Sequence, residues 1–254
     1  MKTVFQKSEI EEPALFTPCD TTEKIENFPE ICVSTFSEKI IGKFAALKSA
    51  EKIAELYTAN GAVPVYKICY KGREIAFYLS RVGAPACVAG FEKVVAMGAK
   101  KFVLFGSCGV LDDAKVKDHI IIPVSAVRDE GTSYHYAAPS EEIEASKDAI
   151  LVLQKVLETC GYSYVKGKTW TSDGIYRETL SALKERREEG CLAVEMECAA
   201  MLAVSQYRKI PFLQFLYGAD NLSSEKWEIR DLTAYGLSCA EKYMLLAFEC
   251  GLAL

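Results

Sequence analysis

Three runs, 101–106, 120–127 and 212–219, are nearly continuous in apolar residues and are bounded by turn-forming segments. Each is too short for a buried helix, and none alternates as a strand with one wet face does. Strands of this kind are covered on both faces, the condition of a central α/β sheet. Further strands are predicted at 31–36, 63–70, 75–82 and 164–171. Between them lie segments of helical spacing. Ser37 offers an N-cap to Ile40, Ile41, Phe44 and Leu47, a stripe that Ile53, Leu56 and Tyr57 continue to a stop at Asn60-Gly61. Gly83-Ala84-Pro85 opens a helix that Gly98 closes, and others are expected at 141–160, 179–189 and 231–250. Lys71-Gly72 reads as a tight turn, and Pro123 as a bulge or edge. The alternation has no linker and no repeat. It predicts one α/β domain over 31–254, a three-layer α/β/α sandwich with a mixed, mostly parallel central sheet. Residues 1–30 are polar and interrupted by Pro13, Pro18 and Pro29, and read as an N-terminal arm on the surface or on a neighbour.

Half of the residues are hydrophobic, enough for a sizeable core. A net charge of -5 offers no basic stripe for a phosphate backbone, which argues against nucleic acid as a partner. No apolar run reaches membrane-spanning length, and the first residues lack the apolar core of a signal peptide, so a cytoplasmic protein is expected. The ten cysteines include no C-x-x-C pair and the histidines number two, so no zinc site is expected. Free thiols in a reducing compartment are the simpler account.

The stretch Ala193-Val194-Glu195-Met196-Glu197 holds two carboxylates in an apolar run that Ala199, Ala200, Met201 and Leu202 extend. On one helix, residues two apart diverge. An extended entry into a helix can instead aim both into one cleft. Buried carboxylates need partners or a task; the alternative is a pair of acids on a helix's positive end. Ligands of α/β sheets collect at the carboxyl ends of strands. Gly106-Ser107, Arg128 and Asp220 each follow a predicted strand there. The chain has neither G-x-S-x-G nor G-x-G-x-x-G, which removes the main support for a hydrolase elbow or a dinucleotide fold.

Ala193-Val194-Glu195-Met196-Glu197 resembles the ribose-binding signature of the nucleoside phosphorylase family, which includes purine nucleoside and uridine phosphorylases and methylthioadenosine nucleosidases. The likeness recurs in family order at Phe105-Gly106-Ser107-Cys108-Gly109, Arg128-Asp129-Glu130-Gly131-Thr132-Ser133, Ser172-Asp173 and Asp220. It implies a nucleoside phosphorylase-like fold. It also implies an enzyme that cleaves an N-ribosidic bond with phosphate, giving free base and ribose 1-phosphate, with purine preferred over uridine. A nucleosidase using water, and a nucleoside-binding protein without activity, are the alternatives. No cofactor is implied beyond inorganic phosphate as co-substrate, and no metal. The family assembles as dimers, or as hexamers of dimers.

Residue by residue, the resemblance assigns Glu197 to the ribose hydroxyls and Met196 to the sugar's apolar face. Glu195 falls beside the site or caps the helix. Asp220 matches the acid that protonates a purine at N7, or else is a turn residue. Arg230 is the nearest match to that acid's arginine partner, at shorter spacing. Ile175 and Tyr176 fall in the base-stacking region. The glutamine that uridine phosphorylases use after the Ser-Asp strand is missing. Gly106, Ser107 and Cys108 match the loop that meets substrate and phosphate. Departures concentrate on the phosphate side. Residues 34–39 replace a Gly-Asp-Pro-x-Arg motif, Leu104 stands where an arginine is usual, and the neighbour-donated arginine near Gly61 is absent. Arg81 stands where a glycine is usual, so Arg81, helped by Lys39 or Arg128, is the expected phosphate anchor. His135 lies near the presumed site, whereas His119 reads as structural.

Overall fold

The computed structural model describes residues 10, 12–224, 226–232 and 240–254. A short helix, α1 (Pro18–Thr21), belongs to the arm, whose end docks on the domain. The Ile25 amide donates to the Met97 carbonyl at 3.0 Å. A Cβ at Gly98 would lie 2.9 Å from that of Phe28, so Phe28 and Gly98 are in close contact.

The domain begins with β1 (Ile31–Thr35), buried throughout, and α2 (Glu38–Ala45), capped by Ser37. Here the expected helix fails. Residues 50–58 are a strand, β2 (Ala50–Thr58), paired antiparallel with β3 (Gly61–Tyr70) from Ala50↔Ile68 to Thr58↔Gly61. Asn60-Gly61 is therefore a hairpin turn and not a helix stop, and Gly61 supplies its φ of 93°. The second hairpin leads into β4 (Arg73–Leu79), with Lys71 and Gly72 both at positive φ. Next come α3 (Ala84–Met97), β5 (Lys101–Val110), α4 (Asp113–Val116) and β6 (Ile120–Asp129). The register of β6 slips between Pro123 and Ser125, the bulge that the proline predicts. The helix expected from 141 starts late, because β7 (Glu142–Glu144) first pairs with β6, and Ser146 then caps α5 (Lys147–Cys160). The chain continues through β8 (Tyr164–Ser172), α6 (Leu180–Glu188), β9 (Cys191–Glu195), α7 (Cys198–Arg208), β10 (Phe212–Asn221) and α8 (Ala240–Ala253). Part of the helix expected over 231–250, residues 233–239, lies outside the described residues.

All strands join one mixed sheet in the order β10-β6-β8-β9-β5-β1-β4-β3-β2, with β7 beside β6. The centre, β4-β1-β5, is parallel, and so are β5–β10 and β6–β8–β9. Because β10 pairs with both β6 and β5, the strands β5, β9, β8, β6 and β10 close on one another. Alternate residues of β5 show the three layers. Phe102 and Leu104 face a core built with α3 and α7, while Val103 and Phe105 face one built with α2, α5 and α8. Among the described residues no helix is long and apolar enough to cross a membrane. Cysteines 32, 87, 108, 191, 198 and 250 are buried free thiols, while Cys69 and Cys160 reach the surface.

Candidate active site

Glu195 ends β9, and Glu197 is the N-cap residue of α7, so the chain turns between them as an extended entry into a helix requires. Both are buried, 6% and 4% exposed, and they do different things. One Glu195 oxygen accepts the amides of Glu197 at 2.7 Å and Cys198 at 2.6 Å; the other accepts the Thr171 hydroxyl at 2.6 Å. Thr171 in turn accepts the Ala199 amide at 2.9 Å. The first amides of α7, which have no partner within the helix, are thus bound by a strand residue and its neighbour on β8. Glu197 is freer. One of its oxygens accepts the Gly83 amide at 2.5 Å, at the start of α3. Burial pushes both carboxyls up, and the charge of Glu195 pushes Glu197 further. The proton of the pair belongs on Glu197, because its partner accepts three donors that favour an anion. Met196 lies between them, partly exposed.

Asp220 sits near the carboxyl end of β10, opposite Gly109 of β5, and is 9% exposed. Its Oδ2 accepts the Trp227 indole N–H at 2.7 Å, and burial raises its pKa against that donor. Burial, and after it the charges of Glu195 and Asp220, push the Cys108 thiol far up. It points to the Tyr217 carbonyl at 3.5 Å and stays a thiol, unsuited to nucleophilic attack. Beside Asp220 lies Glu178, which the motifs did not single out. Burial and the Asp220 charge push it up to about 7.

Several expected residues are placed elsewhere. Arg230 makes a bidentate pair with Asp113 at 2.8 and 2.9 Å, so Trp227 and not Arg230 is the observed partner of Asp220. Arg128 is buried in its own loop. It donates to the Ser133 and Ser140 hydroxyls and to the carbonyls of Ala137 and Ala138, with its guanidinium over the Tyr134 ring. It holds residues 133–140 in place and has no face left for an anion. Arg81 reaches back to the first hairpin and donates to the Asn60 carbonyl at 2.9 Å. Lys39 is exposed on α2, and Leu104 is fully buried. The 106–109 turn is part of β5, and Gly106 is there for packing, since a Cβ would come 2.7 Å from the Phe36 ring. Ser107 is half-buried on that strand. Ile175 and Tyr176 form a 3-10 turn and face outward, 53% and 94% exposed. His135 lines an open groove of about 460 Å³ with Pro85, Val88, Thr132, Tyr136 and Asp173. The charge of Asp173 is among those that raise the Glu197 carboxyl.

Sequence reasoning missed Thr171, Trp227, the Gly83 amide as a donor and Glu178. Gly83 carried a signal, since a glycine before Ala-Pro at a helix start allows the φ of 97° found there.

The sequence profile of the Phosphorylase superfamily matches residues 30–242. A guanosine phosphorylase of Halorubrum lacusprofundi is 25% identical over 154 residues, 60% of this chain and 64% of its own length. A purine nucleoside phosphorylase of Exiguobacterium sp. is 28% identical over 178 residues, 66% of this chain and 72% of its own. The fold is similar to that of a uridine phosphorylase from Vibrio fischeri, with a TM-score of 0.75 at 20% identity, covering 92% of this chain and 97% of that one. The profile spans nearly the whole domain, with the buried Glu195-Met196-Glu197 turn and Asp220 inside its bounds, and the chain belongs to the phosphorylase superfamily.

Proposed function

We propose that the protein cleaves the N-ribosidic bond of a nucleoside, purine before pyrimidine, with phosphate as nucleophile. The observation that carries this reading is Glu197. Its carboxyl is buried where β9 turns into α7 and accepts the Gly83 amide at the start of α3. Glu195 fixes its position by binding the Glu197 amide and the start of α7. Cleavage builds oxocarbenium character on the sugar and negative charge on the base. A carboxylate that accepts from the ribose hydroxyls gains strength as positive charge grows, and such a gain lowers the barrier. Asp220, buried near the end of β10 with the Trp227 indole as donor, is in surroundings that raise its pKa, as suits an acid for the leaving base. The named activities of the two sequence relatives agree with a purine substrate. Assembly as a homodimer or homohexamer in a reducing cytoplasm completes the proposal.

Hydrolysis by water is the second reading, and a specific observation favours it. Arg81, Arg128 and Arg230 donate to other protein groups, and Lys39 faces solvent. Among the described residues Arg128 and Arg230 are taken up by protein acceptors, which leaves Arg81, whose Nε has no partner, with Ser107 and backbone amides for a phosphate dianion. Incubation with a panel of nucleosides, with and without phosphate, separates the readings by product: ribose 1-phosphate or free ribose. No turnover under either condition would reject both.

A further inference from the structure

Trp227 is at once exposed and bound to a buried acid. More than half of its surface, 57%, meets solvent, yet its indole N–H donates to Asp220 Oδ2 at 2.7 Å. An exposed indole can give its N–H to water; this one is turned onto a carboxyl that water hardly reaches. The chain around it keeps it there. Asn221 and Glu228 exchange backbone hydrogen bonds at 2.9 and 3.0 Å, and the Asn221 side-chain amide donates to Glu228 Oε2 at 2.9 Å. The Asp231 amide returns to the Ala219 carbonyl at 2.9 Å, and Ala219 is where the register of β10 slips against β5. Such a bulge re-aims the side chain beside it, and that side chain is Asp220. The other carboxyl oxygen, Oδ1, lies over Gly109, where an added Cβ would stand 3.5 Å away. Gly109 pairs with Asp220 on one side and, on the other, with Val194, which precedes Glu195. Paired strands lie about 4.8 Å apart, so Asp220 and Val194 are about 10 Å apart across Gly109, a span that a nucleoside bridges.

We propose that Trp227 is the positioning residue of the leaving-group acid: its indole N–H holds Asp220 Oδ2 and leaves Oδ1 to meet the base. The inference rests on the reading of Asp220 as that acid. As the bond from C1′ to the base nitrogen breaks, its electron pair passes to the base, and the Oδ1 proton moves to N7 of a purine. The base leaves neutral. Asp220 is left as a carboxylate, on which the Trp227 hydrogen bond strengthens. The attacking phosphate or water releases a proton to solvent, and solvent returns one to Asp220. Other ionisable groups act on Asp220 or feel its charge from the elements around it: Arg230 beyond Trp227, Cys108 of β5, and Glu178 ahead of α6. Among the described residues Trp227 is the side chain that donates a hydrogen bond to it.

Two measurements on the full chain test this. Proton–nitrogen NMR of the two tryptophans reads the contact, with exposed Trp227 told from buried Trp170 by a paramagnetic agent in the solvent. The Trp227 indole resonance should titrate in wild type and stand still in Asp220→Asn. A resonance that does not titrate, or that titrates unchanged in Asp220→Asn, overturns the contact. The second measurement is the pH profile of kcat/KM for guanosine and for 7-methylguanosine, whose alkylated N7 needs no proton. Trp227→Phe keeps an aromatic ring and loses the donor. The Asp220 anion is then less favoured, its proton is held to higher pH, and the alkaline limb for guanosine should move up relative to wild type. On the plateau the guanosine value should fall by about tenfold, and the 7-methylguanosine value by no more than about threefold. Equal losses on both, or an unmoved limb in a variant whose thermal melt shows it folded, reject the role. Should wild type cleave no nucleoside at all, the functional reading fails, and the indole titration still decides whether Trp227 serves Asp220.

Discussion

Removing the Glu195 side chain tests the architecture on which the site stands. In Glu195→Ala the amides of Glu197 and Cys198 lose their acceptor inside the protein, and the Thr171 hydroxyl loses its own. A stranded buried donor costs about 1–3 kcal/mol, so two amides cost about 4 kcal/mol. The hydroxyl can rotate and adds little. Two effects oppose each other beyond that: a cavity is left, and the repulsion between Glu195 and Glu197 is relieved. Taking them as offsetting, the melting temperature should fall by about 8–16 °C, at about 2–4 °C per kcal/mol for a chain of this size. Glu195→Gln should cost only about 1–2 kcal/mol, since its amide oxygen still accepts both backbone amides and its nitrogen can donate to Thr171. Urea titration and scanning calorimetry at pH 7 measure both. A Glu195→Ala protein within about 1 kcal/mol of wild type, or a Glu195→Gln protein as weak as Glu195→Ala, would refute the capping argument.

Glu197→Gln should fold normally and lose at least about tenfold in kcat, because the lost interaction grows in the transition state; unchanged turnover would remove Glu197 from the sugar site. Burial raises Glu197 above the ordinary glutamate value of 4.5, so the native state binds more protons than the unfolded chain over that interval. Stability should therefore decline as pH rises from about 5 through neutrality. Denaturant midpoints across pH should show a flatter profile in Glu197→Gln, and an identical slope would contradict the assignment. Arg230→Ala should leave kcat/KM within about threefold and stability within about 0.5 kcal/mol, as its partners Asp113 and Glu228 lie at the surface; a large loss of activity would restore Arg230 to the leaving-group side.

The parts of the fold legible in the sequence are those fixed by local chemistry. The buried strands β5, β6 and β10 announced themselves as unbroken apolar runs, and Ser37, Pro85 and Gly98 marked helix ends where they stand. The failure at 50–58 came from a short pattern that suits either period. Ile53 and Leu56 are spaced as on a helix, yet Leu56 is buried in a hairpin whose Asn-Gly turn outweighs that spacing. The carboxylate turn was legible because an acid pair in an apolar run has few stable settings. The division of labour within it was not, since it depends on Thr171, which is 24 residues away from Glu195 and adjacent only through β8.

The cationic residues were harder still. Arginine is drawn equally to phosphate, carboxylate and bare carbonyls, so its type and position in sequence do not reveal which it serves. Arg128 spends itself on two carbonyls and two hydroxyls of one loop, and Arg81 on a hairpin turn. Glu178 is the converse case. Its sequence neighbours suggested an exposed, charged helix start, and its inward turn becomes visible only when Ile175 and Tyr176 are seen facing water. Acidic groups thus crowd both ends of this site: Glu195 and Glu197 with Asp173 at one, Asp220 and Glu178 at the other. Such a cleft resists the approach of a dianion unless the carboxyls retain protons. If phosphate is the nucleophile, its Michaelis constant should rise as pH increases through neutrality and the buried carboxyls Glu197 and Glu178, both raised by burial, ionise. A constant that is flat over that range would separate phosphate binding from both acids.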